Sequence, residues 1–162
     1  MIIAYGGEIL KKDLTNSNID RQNILNNRYA IDEIQKATNI IGINFEEKVR
    51  FTKEMVADFF EVDIRTIERY VADFSDELKQ NGYEIIKGKR LKQFKEQIKE
   101  SNAPDINVGS KTTQLAIFDF RSFLNIGMLL VESENARVLR QAILDIVIDT
   151  INQKTGGATK YI

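Results

Sequence analysis

The chain has 162 residues, 43% of them hydrophobic, and a formal net charge of −1. This length and composition suit one folded domain with a proper core, which excludes an intrinsically disordered chain. The absence of cysteine and histidine excludes disulfides, thiolate metal sites and most nucleophile–base pairs, and is compatible with a reducing cytoplasm. We expect a cytoplasmic protein without a cofactor or a small-molecule ligand.

Residues 1–26 are predicted to form a short strand followed by a polar loop. The apolar stretch at residues 1–5 is too short for a signal peptide and is a candidate edge strand. Residues 14–27 are polar and rich in asparagine, which favours a loop. We therefore expect the first domain to begin at about residue 27.

Residues 27–40 are predicted to form a helix, and residues 48–51 a short strand. Residues 48–51 alternate between polar and apolar side chains, as in a short strand. Before them, Gly42 is a candidate stop for a helix over residues 27–40. One helical stripe of that stretch is apolar and is formed by Tyr29, Ile31, Ile34 and Ala37.

Residues 52–74, TKEMVADFFEVDIRTIERYVADF, have the spacing of a helix-turn-helix, the unit that places one helix in the DNA major groove. The motif needs a small residue where its helices cross and apolar residues at the turn and on the inner face of the second helix. Thr52 and Asp63 are candidate N-caps for the two helices. The inward positions are occupied by Ala57, Val62, Ile67 and Tyr70.

Glu61 departs from the usual pattern of this motif. Most such turns carry glycine at this position because the backbone there is left-handed. Another residue is tolerated at modest cost, so the helix-turn-helix interpretation stands. The alternative is an ordinary helical hairpin in a core, since the motif also recurs as a packing device.

The second motif helix is predicted over residues 63–81, with Gly82 as a left-handed C-cap. Apolar residues recur along it at steps of three and four, which predicts that one stripe is buried. The stripe consists of Ile64, Ile67, Val71, Phe74 and Leu78.

The outer face of this helix carries the candidate base-reading residues. Arg65 and Thr66 lie in the first turn, from which a recognition helix usually reaches base edges. Arginine can bind guanine through two hydrogen bonds, and threonine can contact the thymine methyl group. Arg69, one turn further, is placed for a phosphate or a second base. Glu68 and Asp73 would repel phosphates, although Glu68 can pair with Arg65 or Arg69 on the helix surface.

Two further strands, at residues 83–87 and 113–118, give the order helix, strand, helix, helix, strand, strand, which is that of a winged helix. Residues 87–90 are predicted to form the turn after the first of these strands. A long insertion at residues 88–112 separates the strands, and residues 91–98 within it have helical spacing.

Positive charge is concentrated around this insertion. Residues 79–99 include seven basic residues and two acidic ones. Such a run is most often a solvated face, but directly after a helix-turn-helix it indicates an arm that contacts phosphates. The candidate phosphate contacts are Thr52, Lys53, Lys87, Lys89, Arg90, Lys92 and Lys95. Thr52 and Lys53 lie at the start of the first motif helix.

Residues 119–154 are predicted to form a C-terminal helical subdomain, and residues 155–162 a tail or linker. Asp119 is a candidate cap for a first helix, and Ser133 for a second helix over residues 134–153. The second helix is apolar over most of its circumference. It is therefore either buried or in contact with a partner, for which a second copy of the chain is the candidate.

Two carboxylates interrupt this helix, so it is not a membrane span. Asp145 and Asp149 lie one turn apart and could bind a divalent cation, although a solvated face is the simpler interpretation. Residues 156–160, GGATK, lack the spacing of a Walker phosphate loop. We therefore expect neither a metal site nor enzymatic activity.

The C-terminal half of the chain resembles a known family. The stretches LAIFDFRSFLNIGMLL, from Leu115, and ENARVLRQAILDIVIDTINQKTGG, from Glu134, are similar to the second half of phage-type and RhuM-type (Bro-N-like) DNA-binding domains. RhuM-like proteins also carry a helix-turn-helix upstream, so the resemblance covers about residues 45–160. Those domains have an alanine–arginine helix that ends near a TGG, which is matched here by Ala136, Arg137, Arg140 and residues 155–157.

The resemblance implies a DNA-binding domain of bacterial, phage-related or virulence-associated type. Related bacterial chains join such a domain to a Fic/Doc-type toxin module. This chain has no histidine and so lacks the histidine motif of that enzyme.

The sequence thus predicts a mainly α fold with a small β wing, in which a winged helix-turn-helix over residues 27–118 precedes the C-terminal helical subdomain. The predicted function is binding of double-stranded DNA by the helix at residues 63–81, as a transcriptional regulator or as the targeting domain of a larger protein. The net charge near zero indicates moderate affinity with marked salt dependence. The alternative is a protein-interaction module that uses the helix at residues 134–153, with the helix-turn-helix only as a packing unit.

Overall fold

A computed structural model describes residues 13–101, 108–109 and 111–154. The helices are α1 (Asn18–Leu25), α2 (Arg28–Thr38), α3 (Lys53–Phe60), α4 (Ile64–Asp73), α5 (Ser75–Gln80), α6 (Gly88–Glu100), α7 (Phe120–Leu129) and α8 (Glu134–Lys154). The strands are β1 (Ile43–Phe45), β2 (Lys48–Thr52), β3 (Glu84–Lys87) and β4 (Gln114–Asp119). The fold is therefore mostly helical with a small antiparallel sheet, as predicted. None of the described helices combines the length and the hydropathy that a membrane-spanning segment requires.

The chain divides into two compact units, and the boundaries differ from the predicted ones. The central unit is Ile40–Ile126, and the terminal unit contains the described residues up to Asn39 and from Gly127 onward. The boundaries predicted at residues 27 and 118 therefore do not coincide with those of the compact units. Its first helix, α2, packs against α8 in the terminal unit. The first turns of α7 follow directly from β4 and belong to the central unit.

The sheet of the central unit has the strand order β1-β2-β4-β3, and every neighbouring pair is antiparallel. The predicted strands β2, β3 and β4 are confirmed to within one residue. Strand β1 was not predicted. It joins β2 through a two-residue turn at Glu46 and Glu47, whose φ angles are 54° and 65°. Such turns usually contain asparagine or glycine, so the sequence carried no hairpin signal there.

Residues 14–26 are not the predicted loop. Leu14–Asn16 forms a 3₁₀ turn, and α1 begins after the N-cap Ser17, whose hydroxyl accepts the backbone N–H of Asp20. Arg21 is buried and donates to the carbonyl of Leu14 at 2.8 Å. This helix has only eight residues and buries Arg21 together with Ile24 and Leu25, so its apolar residues are too few to indicate a helix by their spacing. The strand predicted at residues 1–5 and the tail predicted at residues 155–162 lie outside the described residues.

Helix α2 confirms the predicted helix over residues 27–40, with a shifted buried stripe. Ile31 and Ile34 are buried as predicted, whereas Tyr29 and Ala37 are exposed. The helix ends at Asn39, which adopts a left-handed conformation with φ 49°, rather than at Gly42. Asparagine tolerates this conformation better than most residues, so it can end a helix as glycine does.

The predicted single helix over residues 63–81 is two helices. Phe74, with φ −122° and ψ 33°, separates α4 from α5. The expected stripe is only partly buried, since Ile67 and Leu78 are fully buried and the others are partly exposed. The predicted cap at Gly82 is confirmed: φ is 111°, and the N–H of Tyr83 donates to the carbonyl of Leu78 at 3.0 Å. This six-to-one bond is the mark of a Schellman motif.

The turn predicted at residues 87–90 does not form, because residues 88–90 belong to a helix. Lys87 ends β3, and Gly88, with φ 61°, begins α6. The helical spacing predicted within the insertion at 88–112 is confirmed. The apolar side of α6 packs against the sheet. Together they form a buried cluster that consists of Ile43, Phe45, Ile86, Leu91, Phe94, Ile98 and Ile117.

The predicted caps of the last two helices are confirmed. The Asp119 carboxylate accepts the N–H of Ser122 at 2.9 Å, and the Ser122 hydroxyl accepts the N–H of Asp119 at 3.0 Å. This reciprocal pair fixes the start of α7 at the end of β4. In the terminal unit, the Ser133 hydroxyl accepts the N–H of Ala136 at 3.0 Å and begins α8.

Candidate nucleic-acid interface

Helices α3 and α4 have the local structure that the helix-turn-helix spacing predicted. The Thr52 hydroxyl accepts the N–H of Met55 at 3.2 Å, and the Asp63 carboxylate accepts the N–H of Arg65 at 2.8 Å, so both predicted N-caps are confirmed. Between them, Glu61 has φ 55° and ψ 47°, the left-handed conformation expected at this turn. Of the four inward positions, Ala57, Ile67 and Tyr70 are buried and Val62 is half-buried.

Thr52 is not a surface residue, so its prediction as a DNA contact is wrong. Only 2% of the residue is exposed, and its hydroxyl is bound to the N–H of Met55. A threonine hydroxyl can contact a phosphate, but the hydroxyl of Thr52 caps α3 instead. Its backbone role in the sheet, where Thr52 pairs with Ile117, keeps it inside the fold.

The first turn of α4 presents Arg65 to solvent. Its side chain is 86% exposed, and its Nε donates to the Asp63 carboxylate at 3.3 Å. The backbone N–H of Arg65 is the main reason why the pKa of Asp63 lies below its ordinary value, so this carboxylate stays charged beside the guanidinium. Thr66 is half-buried. Arg69 is exposed, and its guanidinium lies 5.0 Å from the centre of the Tyr70 ring.

Glu68 pairs with a different residue from those expected. Its carboxylate binds Lys53 Nζ at 3.0 Å, rather than Arg65 or Arg69 on its own helix. Lys53 is the first residue of α3, so the ion pair joins the two motif helices. No local pattern indicates this contact, because the turn separates the two residues along the chain.

A groove borders the outer face of α4. It has a volume of about 340 Å³ and lies between α4, α5 and β3. Ile85 on β3 is 52% exposed along it, and burial raises the pKa of the neighbouring Tyr83 hydroxyl. The sequence did not predict the groove, because the residues come from four elements. They are Lys53, Glu68, Val71, Ala72, Ser75, Lys79, Tyr83 and Ile85.

The predicted basic arm is only partly available to a ligand. Lys87, Lys89 and Lys92 are exposed, at the end of β3 and on α6. Lys95 is half-buried and donates to the carbonyl of Thr112 at 3.0 Å.

Arg90 is partly exposed but is paired with two glutamates, so its position does not favour the predicted phosphate contact. It donates to Glu46 at 2.6 and 2.9 Å and to Glu84 at 2.8 and 3.1 Å. The nearly buried Arg50 binds the same two carboxylates at 3.1 and 3.3 Å. Hydrogen bonds from Arg90 hold the pKa of Glu46 and of Glu84 below the ordinary glutamate value. The cluster ties the β1–β2 turn to β3 and to the start of α6.

Helix α8 in the terminal unit has both a buried and an exposed apolar side. Leu139 and Ile143 are buried on one side of the helix. On the other side Val138 is 53% exposed, and Ala142 and Ile146 are half-buried.

Among the described residues, Asp145 and Asp149 of α8 have no third potential metal ligand beside them. Asp145 accepts a hydrogen bond from Gln141 at 3.0 Å, and Asp149 is exposed. Across the part of the chain that the structure describes, no group of three or more potential metal-ligating side chains occurs. The candidate phosphate loop at residues 156–160 lies outside that part.

No protein-family model matches the sequence, and comparisons with curated proteins and with solved structures gave no significant match.

Proposed function

We propose that the chain binds double-stranded DNA through its central unit, with α4 in the major groove. The observation that carries the proposal is the pair of capped helices α3 and α4, joined by a left-handed residue at Glu61, with Arg65 exposed in the first turn of α4. Recognition helices contact base edges mainly through their N-terminal residues. An exposed arginine at that place can form two hydrogen bonds with guanine.

The sheet supports a winged-helix version of this motif. Strands β2, β4 and β3 are adjacent in that order, and α3, α4 and α5 lie between β2 and β3 in the chain. In this proposal α6 takes the place of a simple wing loop. The exposed Lys87, Lys89 and Lys92 would then contact phosphates beside the groove that α4 enters.

The charge distribution suits moderate, salt-sensitive binding. The whole chain has a net charge of −1, so it has no strong general attraction for DNA. The exposed lysines of β3 and α6 supply a local positive surface. Each phosphate that they neutralise would release counterions and make the affinity fall as salt rises.

The physiological role that we propose is that of a cytoplasmic transcriptional regulator, or of the targeting domain of a larger bacterial or mobile-element protein. The similarity of residues 45–160 to RhuM-type and phage-type domains supports this role. It also favours duplex DNA as the ligand of the central unit.

A second copy of the chain is the proposed protein partner. Val138, Ala142 and Ile146 follow one another at four-residue steps on the exposed side of α8. Helix-turn-helix proteins commonly dimerise so that two recognition helices reach successive turns of the major groove. The alternative function, a protein-interaction module, would use this same side of α8 without DNA.

Selection of bound sequences from random duplex DNA tests the proposed function. The purified full chain should enrich a short motif, and its binding to that motif should weaken steeply as salt is raised. Binding without enrichment would mean that α4 does not read bases. No retention of DNA at low salt would contradict the proposal and leave the protein-interaction alternative.

A further inference from the structure

The ion pair between Lys53 and Glu68 places a carboxylate on the surface that the proposed function assigns to DNA. Lys53 Nζ binds Glu68 Oε2 at 3.0 Å, and the two side chains are 28% and 48% exposed. Glu68 lies three residues after Arg65 on α4. Its other oxygen, Oε1, accepts no hydrogen bond from any described residue. One oxygen is thus fixed while the other is open to a donor.

On the basis of the proposed function, we infer that Glu68 reads a cytosine in the base pair next to the one contacted by Arg65. A carboxylate accepts a hydrogen bond from the exocyclic amine of cytosine in the major groove, and arginine donates to guanine. Three residues of an α-helix rise by about 4.5 Å, which is close to the step of about 3.4 Å between base pairs. The two side chains therefore match two adjacent G·C pairs.

Lys53 makes a carboxylate tolerable at this position. A lone glutamate near the DNA backbone would be repelled by phosphates, but the Lys53 ammonium compensates its charge. The contact crosses from α3 to α4, so it also limits where the carboxylate can move. Glu68 lines the groove of about 340 Å³, and its side chain is 48% exposed. Lys53 is thus a positioning residue, and Glu68 is the residue that touches the base.

The competing interpretation is an ordinary surface ion pair. An exposed ion pair contributes little to stability. Its presence alone is therefore no evidence for a role in DNA binding. The two interpretations differ in one observable, the base preference at a single position of the selected site. A pair that acts only within the protein would leave that preference unchanged when Glu68 is replaced.

The test compares sequences selected from random DNA by the parent chain, by Glu68→Gln and by Asp73→Asn. The control removes one carboxylate from the same helix, at its far end. The parent should select two adjacent G·C pairs. Glu68→Gln should change the preference at one of them towards adenine, which glutamine binds through two hydrogen bonds, with about tenfold loss of discrimination for cytosine. Asp73→Asn should select the parental motif.

Two further variants complete the test. Glu68→Ala should lose the preference at the same position, and Lys53→Met should broaden it there and nowhere else. If Glu68→Gln and Glu68→Ala both select the parental motif with every position equally sharp, the inference is overturned while DNA binding stands. If the parent itself selects no motif, the inference fails together with the proposed function.

Discussion

Arg90 binds both carboxylate oxygens of Glu46, with Nε–Oε2 at 2.9 Å and Nη2–Oε1 at 2.6 Å. The contact spans 44 residues of sequence and closes the β1–β2 turn onto the start of α6. Glu46 holds an uncommon left-handed backbone conformation, with φ 54°. The ion pair therefore stabilises a turn whose sequence does not favour it.

Replacing Arg90 should affect folding more than DNA binding. Arg90→Ala removes charge-assisted hydrogen bonds to two partly exposed carboxylates, and we expect a loss of about 1–2 kcal/mol in the free energy of unfolding. Urea denaturation measures this loss. Arg137→Ala is the matched control, because Arg137 pairs only locally with Glu134 on exposed α8 surface, and its stability should equal that of the parent. Equal stability of Arg90→Ala and the parent would contradict the structural role of the cluster.

The same cluster predicts a dependence of stability on pH. Arg90 lowers the folded-state pKa of Glu46 and of Glu84 below the ordinary value of 4.5. The stabilisation is therefore present above about pH 4.5 and is lost as the pH falls through the folded-state pKa values. Denaturation midpoints of the parent should fall below this pH more steeply than those of Arg90→Ala. Parallel curves for the two proteins would show that these carboxylates do not carry the effect.

Gly82 should be the less replaceable of two glycines with positive φ. At Gly82, with φ 111°, an added Cβ would lie 2.2 Å from Oδ1 of Asp119, whereas at Gly88, with φ 61°, it would meet nothing within 4 Å. Gly82→Ala therefore combines backbone strain of about 1–3 kcal/mol with displacement of the carboxylate that caps α7. Gly88→Ala carries only the backbone strain and is the matched control. Thermal unfolding should rank the parent first, then Gly88→Ala, then Gly82→Ala; the reverse order of the two variants would refute this account.

Some parts of the fold and the site could be predicted because they depend on residues close together in sequence. Thr52, Asp63, Asp119 and Ser133 cap helices through side chains that reach only two or three residues along the chain. Their residue types and positions carry that signal. The same is true of the left-handed turn at Glu61, which the spacing of the two motif helices required.

Other features depend on contacts that no local pattern records. In the sequence Arg90 belongs to a basic run. The fold brings Glu46 and Glu84 against it and so pairs its charge within the protein. The partner of Glu68 lies on the other motif helix, and its separation of 15 residues hides the pair. The break at Phe74 lies within a continuous apolar periodicity, so the periodicity predicted one helix where the chain forms two.

The lysines of β3 and α6 should account for much of the salt dependence. Replacing Lys87, Lys89 and Lys92 by glutamine should weaken all DNA sequences alike and reduce the slope of affinity against salt by up to about three units. Adding Arg90→Gln to this variant should change the slope little, since Arg90 is already paired within the protein. An unchanged slope in the triple variant would make these lysines a solvated face, and a further drop with Arg90→Gln would mean that Arg90 does reach DNA.

If α8 forms a dimer interface, charged substitutions on its exposed side and on its buried side should have different effects on assembly and folding. Val138→Asp, at a position that is 53% exposed, should give a folded monomer that binds a two-half-site DNA more weakly. Leu139→Asp should unfold the terminal unit, because it places an unpaired charge where only 5% of the residue is exposed. Ile146→Asp, at a half-buried position, should share the first outcome. Sedimentation and circular dichroism separate the cases, and a parent that stays monomeric at high concentration removes the dimer.

The most direct test of DNA reading by α4 is the affinity of Arg65→Ala for a selected site and for random DNA. If α4 reads bases, Arg65→Ala should lose about 1–3 kcal/mol on the selected site and discriminate less at one base pair, with much less change on random DNA. Arg137→Ala, which also removes an exposed arginine from the first turn of a helix, should bind both DNAs as the parent does. If Arg65→Ala keeps the parental affinity and the parental preference between the two DNAs, α4 does not read bases.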